Sequence, residues 1–189
     1  MPRLHVISAS VRRTSRGRSV ARWATGLARA STGFDAGLVD LRDVALPFLD
    51  EEEHPSTGRY VHRHTREWSA TIAAADAFVF VMPMHNGGFS APLKNAVDHL
   101  QREWAGKPVG LISYSAGASG GAPAIEMLRP VLKRVDLRPV ATTLSLRFID
   151  EHVGEDGRFR PAPEQTGALA GMLGELAVSL TASARDLAS

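Results

Sequence analysis

Hydrophobic positions along the chain follow two patterns that alternate. Short apolar runs typical of buried strands occur five times, at residues 4–9, 37–41, 77–82, 108–113 and 139–146. Between them, apolar residues spaced three and four apart predict helices at residues 17–30, 65–75, 91–104, 122–135 and 163–184. Strands that alternate with helices indicate an α/β fold in which helices cover both faces of a parallel sheet.

The number of elements narrows the fold further. Five strands and five helices in 189 residues fit a flavodoxin-like three-layer sandwich, with a five-stranded parallel sheet in the order 2-1-3-4-5. We see no internal repeat and no linker, so residues 1–189 are predicted to form one domain. Two segments, 42–60 and 147–163, follow neither pattern. The acidic run at residues 50–53 in the first of them is expected to be a solvated loop.

Composition excludes several classes of protein. The chain has no cysteine, so a redox-active dithiol is excluded as its working group. Its amino terminus leads into a strand without a signal-peptide core, and no apolar run is long enough to span a bilayer. These features predict a cytoplasmic protein without membrane partners, and the formal charge of +2 gives no strong preference for nucleic acid.

The loop after the first predicted strand combines cations with hydroxyl groups. Five arginines lie between Arg12 and Arg22, interleaved with serine and threonine, and the next acidic residue is Asp35. Guanidinium groups, hydroxyls and the amides of a helix start are the donors that a phosphate dianion needs. The alternatives are a solvated, arginine-rich helix start and a patch that attracts nucleic acid. Because no aromatic residue interleaves with the arginines to stack bases, no nucleic-acid partner is expected.

Two further loops follow the third and fourth predicted strands. Residues 83–87 (PMHNG) contain proline, asparagine and glycine, and predict an open loop whose backbone can lie close to a flat ligand. Residues 113–121 (SYSAGASGG) have glycines that could make room for the same ligand. Carboxyl ends of parallel strands meet at one edge of a sheet, so all three loops are expected to converge there.

The sequence disfavours two other chemistries, serine hydrolysis and metal binding. Ser115 lies near a nucleophile-elbow pattern, but Ser113 occupies the position of its first glycine, and Asp150 with His152 is the only evident acid and base pair. His62 and His64 are two residues apart, whereas the other histidines are scattered without ligand spacing, so no metal site is predicted. Trp68 and Trp104 are expected to anchor the core or an interface.

The three loops and the helix after residue 90 closely resemble the NADPH-dependent FMN reductase family, which includes flavodoxin-like quinone, chromate and azo-dye reductases. The resemblance covers about residues 4–146. Its first motif is Ser10-Val11-Arg12 with Ser15 and Gly17. The most specific parts are residues 83–87 and the block APLKNAVDHL at residues 91–100, and residues 103–108 and 113–121 extend it.

The resemblance implies a cofactor and a set of binding residues. FMN would be the cofactor, and its phosphate would be held by Ser10, Arg12, Ser15, Arg16 and Gly17. The loop of Pro83, Met84, His85, Asn86 and Gly87 would line the edge of the isoalloxazine ring. Ser115 and Gly117 would close over the other side of the ring or the ribityl chain. Family members are usually homodimers or dimers of dimers, with the flavin near the interface.

The activity implied is transfer of hydride from NADPH or NADH, through bound FMN, to a small acceptor such as a quinone, a flavin, an azo compound or a metal oxyanion. No side chain is then expected to act as acid, base or nucleophile. The alternative is a flavin-binding electron carrier that does not turn over NAD(P)H. The chain departs from the family pattern at three positions: Met84 replaces an acidic residue, His85 a tyrosine, and Pro123 an arginine.

Overall fold

The computed structural model describes residues 1–31 and 33–186. Within these ranges the strands are β1 (Arg3–Ser8), β2 (Asp35–Asp40), β3 (Ala77–His85), β4 (Gly88–Phe89), β5 (Pro108–Tyr114) and β6 (Arg138–Leu146). The α-helices are α1 (Gly17–Ala30), α2 (Leu41–Val44), α3 (Arg63–Ala73), α4 (Ala91–Asp98), α5 (Ala122–Arg134) and α6 (Pro163–Asp186). Short 3₁₀ turns occupy Pro55–Thr57 and Ile149–His152.

The sheet has the predicted topology. Its five long strands are parallel and lie in the order β2-β1-β3-β5-β6, which is 2-1-3-4-5 when only these strands are numbered. The flavodoxin-like fold class is therefore confirmed. The order reverses next to β1, and at such a switch point the loops that follow neighbouring strands diverge to opposite faces and leave a crevice for a ligand.

The core lies on both faces of the sheet, which explains why β3 is apolar at almost every position. Val79 and Val81 join the cluster under α1 and α6, whereas Phe78, Phe80 and Met82 join the cluster under α3, α4 and α5. All five side chains are fully buried. A strand buried on both faces has no polar side, and this accounts for the continuous apolar run in the sequence.

Strand β3 is longer than predicted. It was expected to end at Met82, but it continues to His85 and pairs antiparallel with β4. Asn86 and Gly87 form the turn with φ of 51° and 83°, which are the left-handed values that a two-residue hairpin turn of type I′ requires. The predicted open loop is therefore wrong, and a tight hairpin takes its place.

Helix α4 is shorter than predicted. It ends at Asp98, and residues 101–106 form turns instead of a continuation to Trp104. These turns bring the Trp104 ring to 5.0 Å from Phe78 and 6.1 Å from Trp68, between ring centroids. Both tryptophans are buried, so their predicted role as core anchors is confirmed. Within the described ranges no helix has the length and apolarity needed to cross a bilayer.

Candidate functional site

A polar cavity of about 650 Å³ opens at the carboxyl ends of β1, β3 and β5. It has the size of a pocket for a small molecule or a cofactor. Among the residues predicted from the sequence, those that line it are Ser10, Arg12, Ser15, Arg16, Pro83, Met84, His85 and Ser115. Those that do not line it are Gly17, Asn86, Gly87 and Gly117.

The loop between β1 and α1 forms the cationic end of the cavity. Helix α1 begins without a side-chain cap and without an acidic residue in its first turn. Arg12 and Arg13 line the cavity, and neither forms an ion pair with any described residue. Arg16 differs because its Nε lies 2.8 Å from Asp150 Oδ1. Two free guanidinium groups beside an uncapped helix start make this end suited to an anion.

Tyr114, at the end of β5, packs against this loop. The sequence analysis did not predict this contact. The Tyr114 side chain is buried, and its hydroxyl lies 3.1 Å from Ser15 Oγ. Ser15 Oγ also accepts a hydrogen bond of 3.1 Å from the amide of Gly17. Burial raises the pKa of Tyr114, so the phenol stays protonated at neutral pH. The tyrosine therefore holds Ser15 in a fixed position at the floor of the cavity.

Gly17 has a packing role in this arrangement. A Cβ atom at this position would lie 2.4 Å from the Tyr114 hydroxyl oxygen. The residue is buried at the first position of α1 and does not line the cavity. Its glycine identity is therefore explained by the close approach of Tyr114, whatever the cavity binds.

The β3–β4 hairpin supplies a second wall of the cavity. Pro83, Met84 and His85 line it from the end of β3, and the His85 side chain is exposed. Met84 Sδ lies 3.8 Å from the hydroxyl of Ser119, so it contacts the loop after β5. Asn86 and Gly87 form the hairpin turn beyond this wall. The turn residues do not line the cavity, so the strand residues before them occupy the place expected for the loop.

The loop after β5 is shaped mainly by contacts within the protein. Gly120 and Gly121 have φ of 59° and 86°, and a Cβ on Gly120 would lie 2.6 Å from the backbone of Ser145. A Cβ on Gly121 would lie 2.9 Å from Ser113 of β5. These two glycines are therefore required by the turn and its packing on β5 and β6, and the idea that they make room for a ligand is wrong. Gly117, by contrast, has open space around it and is exposed.

The serine hydrolase alternative lacks its hydrogen bonds. Ser115 Oγ donates to the carbonyl of Gly117 at 3.1 Å. The ring Nδ1 of His152 lies 3.4 Å from the carbonyl oxygen of Arg160. Within the described chain, Ser115 has no histidine as a hydrogen-bond partner, so no catalytic triad is formed around it.

The segment after β6 completes the cavity, although the sequence analysis gave it no part in ligand binding. Ile149, Asp150, Val153 and Gly157 line the cavity from this side. Ser19 Oγ donates a hydrogen bond of 2.6 Å to the carbonyl of Gly157, which ties the segment to α1. The position of this segment in the sequence could have indicated its role, because it follows β6, whose carboxyl end lies at the same edge of the sheet.

These observations define a class of protein. The fold is a doubly wound sandwich with a polar cavity at the carboxyl edge of its sheet, and one end of the cavity offers free arginines and hydroxyls beside the amino terminus of α1. That set of donors fits the phosphate of a phosphorylated ligand such as FMN. The wall formed by β3 and the mixed polar and apolar lining leave room for the rest of such a molecule.

Comparison with known proteins identifies the family. A model of the NADPH-dependent FMN reductase family matches residues 2–150. The chain is 38% identical to an NAD(P)H-dependent FMN reductase of Schizosaccharomyces pombe, over 87% of this chain and 82% of the relative. It is 34% identical to a quinone reductase of Pseudomonas putida, over 70% of each chain. This protein belongs to the NADPH-dependent FMN reductase family.

Solved structures agree on the fold. The flavoenzyme NAD(P)H:acceptor oxidoreductase FerB of Paracoccus denitrificans superposes with a TM-score of 0.76, covering 93% of this chain and 97% of FerB at 20% identity. The predicted family, fold class and enzyme class are confirmed, as are FMN and NAD(P)H as the predicted cofactors.

Proposed function

We propose that this protein is an FMN-dependent NAD(P)H oxidoreductase whose cavity at the sheet edge holds FMN. The observation that carries this proposal is the convergence of the loops after β1 and β5 and the carboxyl end of β3 on one cavity with free arginines at one end. When bound, FMN supplies the redox chemistry, accepting two electrons from NAD(P)H and passing them to a second substrate. The protein itself would bind and orient FMN and stabilise the charge on its reduced ring.

The phosphate is assigned to the loop between β1 and α1. Ser10, Arg12, Ser15 and Arg16 line this end, and Arg13 adds a third guanidinium group that the sequence analysis did not select. A hydrogen bond to a charged group contributes about 1.5–3 kcal/mol. Arg12 and Arg13 are the strongest candidates because no carboxylate of the described chain competes for them.

The isoalloxazine ring is assigned to the wall formed by the end of β3. Pro83, Met84 and His85 would lie along one edge of the ring, and Ser115 along the other. Asn86 and Gly87 keep the hairpin in place and contribute at most the backbone next to it. Preorganised backbone amides at such an edge stabilise negative charge on a reduced ring. No side chain is assigned as acid, base or nucleophile.

A quinone is the proposed second substrate. One relative with 34% identity is named a quinone reductase. His85 lines the cavity and is exposed, so this side of the cavity is open to solvent. The nicotinamide and a flat acceptor would occupy the same face of the flavin there in turn. Successive use of one position predicts ping-pong kinetics, with NADP⁺ leaving before the quinone binds.

We also propose that the protein assembles as a homodimer or as a dimer of dimers. Phe48 is 85% exposed and lines an apolar groove of about 490 Å³ next to the cavity, together with Val11 and Pro92. Exposed apolar patches of this kind commonly mark contacts between proteins. We expect sedimentation to give twice or four times the mass of the chain, and a monomer at micromolar concentration would contradict this part. A cytoplasmic location remains a prediction from the sequence.

The phosphate assignment is tested by FMN titration monitored by flavin fluorescence. The double variant Arg12→Ala with Ser15→Ala should weaken FMN binding by about 3 kcal/mol or more, because two donors to a charged group are removed. Arg22→Ala is the matched control, since it removes one exposed arginine of α1 that does not line the cavity. Equal affinity in the double variant and the control would show that the assignment is wrong.

The reaction itself is tested with the FMN-loaded protein under anaerobic conditions. Addition of NADPH should bleach the flavin absorbance, and a quinone added afterwards should restore it. Retention of the flavin colour in the presence of NADPH would instead indicate an electron carrier without NAD(P)H turnover.

A further inference from the structure

A second group of polar side chains lies where residues 49–54 pass over α3 and α4. Asp50 belongs to this segment, His64 is the second residue of α3, and His99 follows the last residue of α4. One ligand atom of each lies within 4.8 Å of those of the other two. None of the three lines the cavity at the sheet edge, so the proposed FMN site does not account for them.

His99 is the least easily explained member of this group. Its side chain is fully buried, and its Nδ1 lies 2.8 Å from the carbonyl oxygen of Asn95. Since a carbonyl only accepts, Nδ1 carries the hydrogen and Nε2 presents a lone pair. Within the described chain Nε2 has no hydrogen-bond partner. A buried acceptor without a partner is costly, and it points to a ligand that the protein chain does not supply.

The hydrogen bond between Asp50 and His64 leaves this problem unsolved. His64 Nε2 lies 2.9 Å from Asp50 Oδ1, and the His64 ring meets His99 edge-on at 6.1 Å between centroids. This pair satisfies its own two members only. A cation between the carboxylate and the two imidazoles would satisfy all three groups at once, including Nε2 of His99.

The surroundings hold these groups in place. Glu51 accepts hydrogen bonds from the amides of Val61 and His62, and the His62 ring stacks on His64 at 5.2 Å. Asn95 accepts a hydrogen bond from the amide of Leu49, so the segment is also tied to α4. A backbone carbonyl behind a histidine, as Asn95 provides for His99, is the usual partner that orients an imidazole toward a metal.

We propose that Asp50, His64 and His99 bind one divalent transition metal ion, of which Zn²⁺ is the representative. Two imidazole nitrogens and one carboxylate oxygen suit zinc better than magnesium or calcium, which prefer oxygen ligands alone. Tetrahedral zinc with bonds of about 2.0–2.2 Å needs ligand atoms roughly 3.4 Å apart. The three ligand atoms lie within 4.8 Å of one another, so they would move closer together when the ion binds. The Asp50 and His64 side chains are 44% and 30% exposed, which leaves a fourth position for water.

The metal would have a structural role. It would join the segment after α2 to the start of α3 and the end of α4, three parts of the chain that the described hydrogen bonds connect only in pairs. It would take no part in the redox reaction.

Binding is tested with the tag-free protein, stripped by a chelator and titrated calorimetrically with Zn²⁺. We expect one ion per chain, with affinity at least tenfold lower in Asp50→Asn and in His64→Gln. Both side chains are partly exposed, so these variants should fold, and circular dichroism checks this. His54→Gln is the matched control, because His54 is an exposed histidine on the same segment and belongs outside the cluster.

Co²⁺ provides a second readout that does not depend on enzyme activity. The wild-type protein and His54→Gln should develop the visible absorption of tetrahedral Co²⁺, and both ligand variants should lose it. Zinc should also raise the unfolding temperature of the wild type but not of the ligand variants. Failure to bind, or equal affinity in all four proteins, would overturn the proposal.

Discussion

Glycines near the cavity differ in what they make room for. Gly17 accommodates the Tyr114 hydroxyl, and Gly120 accommodates the backbone of Ser145, so both are required by contacts within the protein. Gly117 has no neighbour within 4 Å of a hypothetical Cβ, so no contact with the described residues requires a glycine there. A glycine in a loop therefore indicates that another group approaches its backbone closely. Only the three-dimensional neighbours show whether that group is a ligand or part of the protein itself.

Replacement of Gly17 by alanine is expected to destabilise the protein by about 1–3 kcal/mol, since the new methyl group would overlap with Tyr114. The free energy of unfolding from urea titration measures this. Gly26→Ala is the matched control: it lies in the same helix with open space around it, and should stabilise by about 0.5–1 kcal/mol. A loss in both variants, or in neither, would contradict the packing role of Gly17.

At the scale of elements, strand β1 contains a histidine whose hydrogen-bonding capacity the sheet does not fully satisfy. His5 Nδ1 is buried without a hydrogen-bond partner in the described chain, next to Gly37 on β2. Burial, followed by the charges of Arg3 and Lys107, lowers the pKa of His5 below its ordinary value of 6.5. The folded protein therefore takes up a proton at His5 at lower pH than the unfolded chain does.

This difference predicts how stability depends on pH. As the pH falls below about 6.5, the unfolded chain binds the proton first, so the free energy of unfolding decreases. We expect His5→Gln to make this decrease less steep, because glutamine does not titrate. Urea unfolding of both proteins between pH 7.5 and about 5 measures the slopes. The same slope in both proteins would mean that His5 is not the group responsible.

The hairpin after β3 shows a signal that the sequence analysis passed over. An Asn-Gly pair flanked by strand-like residues is the strongest short-range indicator of a two-residue hairpin. The run PMHNGG instead suggested an open loop, since its glycines and proline are also typical of loops that contact ligands. The correct reading needed the pairing of Met84 with Phe89, which β-propensity alone did not indicate.

At the scale of the whole molecule, the cavity joins distant parts of the chain. Arg16 and Asp150 are 134 residues apart in sequence and form an ion pair at the cavity wall, with both side chains about half exposed. A pair this exposed contributes only about 0–1 kcal/mol to stability. Its larger consequence is for binding, because the Asp150 carboxylate occupies Arg16 and repels an anion nearby.

Asp150→Asn should therefore strengthen FMN binding about two- to fivefold at low salt, since Arg16 is released and a negative charge is removed. The gain should shrink as ionic strength rises, because exposed charges are screened. FMN titrations at two salt concentrations measure it. Asp156→Asn is the control, as Asp156 lies in the same segment but does not line the cavity. Weaker FMN binding in Asp150→Asn would argue against the phosphate lying near Arg16.

The sequence by itself determined the sheet, its order and the edge at which the loops meet. Alternating strands and helices leave few topologies, and parallel strands bring their carboxyl ends together without any need for knowledge of side-chain contacts. Most residues that line the cavity from the loop after β1 and from the end of β3 could be named in advance for this reason. Composition also excluded dithiol chemistry, because it requires a residue type that the chain lacks.

Tertiary structure decided which side chains meet. Tyr114 under Ser15, Asp150 beside Arg16, and the group of Asp50, His64 and His99 join residues from separate elements, and no local spacing records these contacts. Local patterns reflect backbone geometry, which repeats every two or 3.6 residues. Contacts between separate elements depend on how helices pack on strands. Only the folded chain fixes the distances between these side chains.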